Sequence, residues 1–157
     1  MADSFIVFAP DVPEEAGHYP PPFDKERVGF SRNLGKAIGS ASIGVAIDRL
    51  PPGERSSFTH AHSHEEELVY VLEGECNVRL IEPGKEPREV LLRAGHVVSF
   101  VAGTRIAHCF FNRGSKDCLL LTVGERKRDV DRGFYAEDAE YDAFFARERP
   151  GSYWSKD

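Results

Sequence analysis

Short apolar runs broken by turn residues set the rhythm of this chain. From residue 42 the pattern has period two: Ile43, Val45 and Ile47 alternate with small or polar residues until Pro51-Pro52-Gly53 ends the run. LVYVL at 68–72 stops at Glu73-Gly74, and Cys76, Val78 and Leu80 alternate with Asn77 and Arg79 before Pro83-Gly84. Further runs at 90–92, 97–101, 106–111 and 119–123 close on Gly95, Gly103, Gly114 and Gly124. Period two sends successive side chains to opposite faces of a strand. Repeated with turn signals roughly every 8–12 residues, it predicts an all-β sandwich or barrel.

The flanks read differently. Residues 1–41 form an extended arm: a short apolar piece at 5–8, then His18-Tyr19-Pro20-Pro21-Pro22, where prolines without N–H groups keep the chain out of a sheet interior. Glycines at 29, 35, 39 and 44 speak against a long helix there. After the barrel segment, 42–125, comes a C-terminal loop and helix, 126–157. In it Ala139, Tyr141, Phe144 and Phe145 fall near helical spacing before Pro150-Gly151. The three segments make one domain, as 157 residues allow.

Composition narrows the function classes. Apolar residues make up 41% and charged residues 29%, a globular balance, and no apolar run reaches the ~20 residues of a spanning helix. A formal charge of −6 argues against a nucleic-acid partner. The basic cluster Arg126-Lys127-Arg128 is flanked by Glu125, Asp129 and Asp131, and reads as a solvated loop. MADSFIVFAP has neither a basic leader nor a long apolar segment, and the three cysteines form no CxxC pair. The expectation is a cytoplasmic protein with reduced, packed thiols and neither membrane nor nucleic acid as partner.

The stretch THAHSHEEELVYVLEG, 59–74, carries the candidate chemistry. Two apart on a strand, His60 and His62 present their imidazoles together. Glu67 opens the next strand, and His108 sits within IAHCFF at 106–111. A lone histidine in an apolar strand is commonly a core residue. Burial keeps it neutral, which is also the state that binds metal. His64 and Glu66 offer alternative donors, while His64, Glu65 and Glu66 together also read as a wet turn; His18 and His96 read as surface residues.

These residues resemble the two motifs of the cupins. Gly53, His60, His62, Glu67 and Gly74 match a glycine, HxH, four residues, Glu, six residues, Gly; Gly95, Gly103, His108 and Asn112 match the second motif. Six residues separate Gly53 from His60, one more than the family pattern, and Val101 stands where a proline is usual. The resemblance covers about residues 42–124 and implies a cupin-type β-jelly-roll barrel. It also implies a divalent transition metal (Mn, Fe, Ni, Co, Cu or Zn) on His60, His62, Glu67 and His108, with a small molecule as ligand or substrate.

Such a site would carry a net charge of about +1, suited to an anionic or enolisable ligand. Isomerase, lyase, decarboxylase and dioxygenase activities occur among cupins, and a non-catalytic sensing module is the alternative. Arg49, Arg79 and Tyr70 qualify as further site residues only if their side chains reach the lumen. If Glu67 and His108 point inward, Val69, Val71, Ile106 and Phe110 line the barrel. Leu68, Tyr70, Leu72, Cys109 and Phe111 then need an outer cover. The termini or a second subunit could supply it, and the resemblance favours a homodimer.

Overall fold

The computed structural model describes residues 5–155. Among them β1 (Glu15–Ala16), β2 (Phe30–Asn33) and one helical turn, α1 (Leu34–Ala37), precede the barrel strands. These are β3 (Ile43–Leu50), β4 (His60–His62), β5 (Glu67–Glu73), β6 (Glu75–Ile81), β7 (Arg88–Arg93), β8 (Val97–Phe100), β9 (Ala107–Phe111) and β10 (Cys118–Glu125). A short β11 (Gly133–Tyr135) and helix α2 (Ala139–Glu148) follow. The strands form two antiparallel sheets, β1-β2-β3-β10-β5-β8 and β11-β4-β9-β6-β7, packed face to face as a jelly roll.

The alternation read from sequence sets which side chains meet. Leu50, Val69, Val71, Val78, Leu92, Phe100, Phe110 and Leu120 come from the inward positions of both sheets and form one buried core, with Ile106 packed against it. The three cysteines are free and buried. Gly74 turns β5 into β6 with φ +77°, and a Cβ there would lie 2.6 Å from the carbonyl oxygen of Asp117. Only glycine meets both demands. Arg49 faces outward and pairs with Glu14 at 2.6 Å and Asp117 at 3.0 Å. Arg79 is bound to Glu137, and Tyr70 is 39% exposed, so none of these three lines the lumen.

The flanking segments differ from a plain arm and helix. β1 and β2 extend the larger sheet beyond β3, with Phe30 opposite Arg49 and Asn33 opposite Ala46. β11 pairs with β4, placing Gly133 beside His62 and Tyr135 beside His60. Period-two counting overlooks such short strands, because three or four residues do not establish a period.

Tyr19 and Phe23 of the arm pack with Phe58 and with Tyr141 and Phe144 of α2, their ring centroids 4.3–6.0 Å apart. Phe134 buries against Ala61 and Ala107 beneath Tyr153 and Trp154. The termini thus cover the outside of the smaller sheet, where Cys109 is sealed. The outside of the larger sheet stays open, with Leu68, Tyr70, Leu72 and Val97 exposed.

Candidate metal centre

Four donors converge between the sheets. Adjacent strands β4 and β9 place His60 opposite His108 in register, with ring centroids 5.2 Å apart. His62, two residues along β4, brings its ring to 4.9 Å from that of His60. Across the barrel, β5 delivers Glu67, whose Oε1 lies 3.2 Å from His108 Nε2. His108 is almost wholly buried and lies flat on Phe100, with ring centroids 3.4 Å apart.

The outward nitrogens are occupied. His60 Nδ1 lies 2.8 Å from the carbonyl oxygen of Phe58, and His62 Nδ1 lies 2.7 Å from Asp131 Oδ2. His108 Nδ1 faces the carbonyl oxygen of Ile106 at 3.4 Å. Acceptors at Nδ1 call for the tautomer with the proton there, which leaves each Nε2 lone pair available to a cation. His108 Nε2 and Glu67 Oε1, 3.2 Å apart, share a proton when no cation is bound and can both turn their lone pairs to a cation when one is. The donor set fits a divalent transition ion.

Electrostatics point the same way. Burial, reinforced by the neighbouring His62 and His108, lowers His60 to about 3 and keeps it neutral. Burial opposes the ionisation of Glu67, but the hydrogen bond with His108 and the charges of the three histidines outweigh it and lower Glu67 to about 2. Burial likewise disfavours a charged His62; there the hydrogen bond and charge of Asp131 prevail and raise its pKa.

A pH dependence follows for the metal-free protein. Unfolded His60 takes a proton near 6.5 and folded His60 only near 3, so its share of stability is complete above about 6.5 and is lost as pH falls toward 3. Glu67 adds a loss from about 4.5 toward 2. His62, raised, contributes in the opposite sense, favouring the fold below 6.5 and losing that share as pH rises through its folded value. Urea midpoints of chelator-treated protein should therefore drop between pH 6.5 and 4, and His60→Asn should flatten most of that drop.

Residues outside the sequence expectation complete the site. Asp131, expected in a solvated loop, accepts from the backbone N–H of His64 at 2.8 Å and of Glu65 at 3.1 Å as well as holding His62. Glu65 is more than a wet turn residue: it, His62 and Asp131 each bring a donor atom within 4.8 Å of the others, a grouping that could itself hold an ion. Glu65 Oε1 already accepts the Lys127 N–H at 2.5 Å. His18, His64, Glu66 and His96 are exposed, as expected.

Tyr135 brings its ring to 6.0 Å from His60, and burial pushes its phenol well above the ordinary range, keeping it neutral in its hydrogen bond with Tyr141. Asp48, inward on β3, accepts the Thr122 hydroxyl at 2.6 Å, and burial raises its pKa. His60, His62 and Tyr135 open onto a cavity of about 430 Å³ beside α2, with Arg128 and Arg149 on its wall.

Comparison with known proteins gives this geometry a context. A search of curated protein sequences yields no significant match. Among solved structures, a sugar phosphate isomerase of the cupin superfamily from Silicibacter pomeroyi is 28% identical, with a TM-score of 0.73 over 84% of this chain and 82% of the other. A protein named provisionally as a sugar phosphate isomerase, from Acidithiobacillus ferrooxidans, is 26% identical, with a TM-score of 0.70 over 84% and 81%. A predicted oxalate decarboxylase from Thermotoga maritima is 25% identical, with a TM-score of 0.58 over 76% and 97%. The profile of the cupin domain matches residues 46–124, the stretch that supplies all four converging donors. By that match and by its two-sheet jelly roll, the chain belongs to the cupin family.

Proposed function

We propose that this cupin is a metal-dependent enzyme acting on a small sugar-phosphate-like or organic-acid substrate, with isomerisation as the leading reaction class. The observation that carries the reading is the convergence of three imidazoles and one carboxylate with each outward Nδ1 facing an acceptor. His60, His62, Glu67 and His108 would hold a divalent transition ion. We prefer this set to His62, Glu65 and Asp131 because Asp131 is already spent on one imidazole and two backbone N–H groups. The bound ion would supply positive charge for substrate oxygens and for negative charge that develops on them.

The chain's own groups do the rest. Tyr135, neutral and hydrogen-bonded to Tyr141, walls the cavity beside His60. Phe100 and Phe110, packed around His108, exclude water from the inner side of the donors. The sugar phosphate isomerase and the protein provisionally named as one favour sugar phosphates over oxalate-like acids, since they match more closely over more of this chain. The open apolar face of the larger sheet supports pairing of two copies there, which sedimentation velocity would register at twice the chain mass.

The test incubates protein loaded separately with Mn, Fe, Co, Ni, Cu or Zn with aldose and ketose phosphates, keto acids and oxalate. Product is followed by NMR and oxygen uptake in parallel. Interconversion of aldose and ketose phosphates, abolished in His62→Ala, is the expected result. Saturable binding with every ligand returned unchanged would instead make the protein a sensing module, and oxygen uptake would move it to dioxygenase chemistry.

A further inference from the structure

The cavity beside the histidines has an electrostatic asymmetry that the metal reading leaves unused. Its acids are committed: Asp131 to His62 and the 64–65 backbone, Glu65 to the Lys127 N–H. Its arginines are not. Among the described residues Arg105, Arg126, Arg128, Arg132 and Arg149 have no ion pair, whereas Arg27, Arg49, Arg55, Arg79 and Arg113 each hold a carboxylate. Arg105, Arg126 and Arg132 each donate to an oxygen of Ser155, Asn33 or Gly151 instead, and Arg128 and Arg149 do neither. In a chain with 26 acidic and 20 basic residues, two unpaired guanidinium groups on one cavity wall stand out.

The elements that bring them there are distinct. Arg128 comes from the loop between β10 and β11, and Arg149 caps the C-terminus of α2. Arg149 lines the cavity together with Tyr135 and Phe145, its aromatic residues. A volume of about 430 Å³ suits a small metabolite rather than a single ion.

We propose that Arg128 and Arg149 form the subsite for a phosphate monoester terminus, whose two negative charges and fork-shaped oxygens match two guanidinium groups. The substrate class is then a bifunctional molecule with oxygens toward His60 and His62 and a terminal phosphate at the rim. The oxygen end rests on the metal reading; the phosphate end does not.

Inorganic phosphate is therefore the probe, titrated calorimetrically into chelator-treated full-length protein so that direct metal–phosphate contact cannot contribute. Binding should weaken at least tenfold in Arg128→Gln and in Arg149→Gln, and further in the double variant. Arg88→Gln, which removes a partner of Glu82 on β7, should change nothing. Both cavity arginines are exposed, so the variants should keep the parent melting temperature. Phosphate affinity unchanged in the double variant, or acetate bound as tightly as phosphate, would overturn the subsite.

Mn²⁺ titrated into the same variants separates the two readings. Metal bound normally alongside arginine-insensitive phosphate binding removes the phosphate subsite alone. Arginine-dependent phosphate binding in a protein that takes up no metal supports the subsite and removes the metal reading.

Discussion

His108→Ala should leave a protein that folds weakly and no longer retains metal. The imidazole is almost wholly buried, stacked on Phe100, and faces Glu67 Oε1 from 3.2 Å. Removing it opens a hole in the core and leaves a buried carboxylate without its nearest partner. Together these should cost about 2–5 kcal/mol in the metal-free state. Loss of one of four donors should lower metal affinity by more than the roughly 10–100-fold typical of a supporting residue.

The readout is the shift in unfolding on adding metal. Wild type at a metal concentration a hundredfold above Kd should gain about 2.7 kcal/mol, and the variant close to nothing. His108→Gln, which refills most of the volume, separates packing from ligation: it should recover much of the metal-free stability and little of the metal response. A full response in His108→Gln, with none in Glu65→Gln, would transfer the centre to His62, Glu65 and Asp131.

Much of this architecture is legible along the chain because an alternating strand records its own facing. Glu67 shares parity with Val69 and Val71, so the burial of those two valines dictates that the carboxylate points inward, and the same logic turns Tyr70 out. Asp48 shares parity with Leu50 and was equally readable as an inward acid. His60 and His62 declare themselves by spacing.

What the chain order conceals is anything built by short pairings or single side-chain hydrogen bonds across distance. β11 has three residues and therefore no period, yet its register alone puts Tyr135 beside His60. Arg128 reads as part of a charged loop, since nothing local says that its loop folds back over β4. The exposed stripe on β5 was foreseeable; which sheet the termini would cover was not, because that depends on where Tyr19, Phe23 and α2 dock.

Asp131 is the sharpest case of the hidden kind, and replacing it should have the second largest effect. It lies 69 residues from His62 and carries no motif, yet one carboxylate orients that imidazole and ties down the turn leading to Glu67. The same seam is stitched by Ser63 N–H to the Arg132 carbonyl at 2.8 Å and Glu125 N–H to the Glu66 carbonyl at 3.0 Å. The loop therefore stays docked in Asp131→Ala while His62 loses its anchor.

Metal affinity at neutral pH should fall roughly 10–100-fold, the usual consequence of freeing a ligand from its outer hydrogen bond. Asp131→Asn keeps an acceptor for the Nδ1 proton but not the charge, so its loss should be smaller. The pH profile distinguishes orientation from ligation. Asp131 raises the pKa of His62, so without its charge protons compete less well for the imidazole. In Asp131→Asn the half-point for metal loss should move to lower pH even as the plateau affinity drops. A carboxylate bound directly to the ion would give no such opposition: its removal would lower the plateau as far as His108→Ala does.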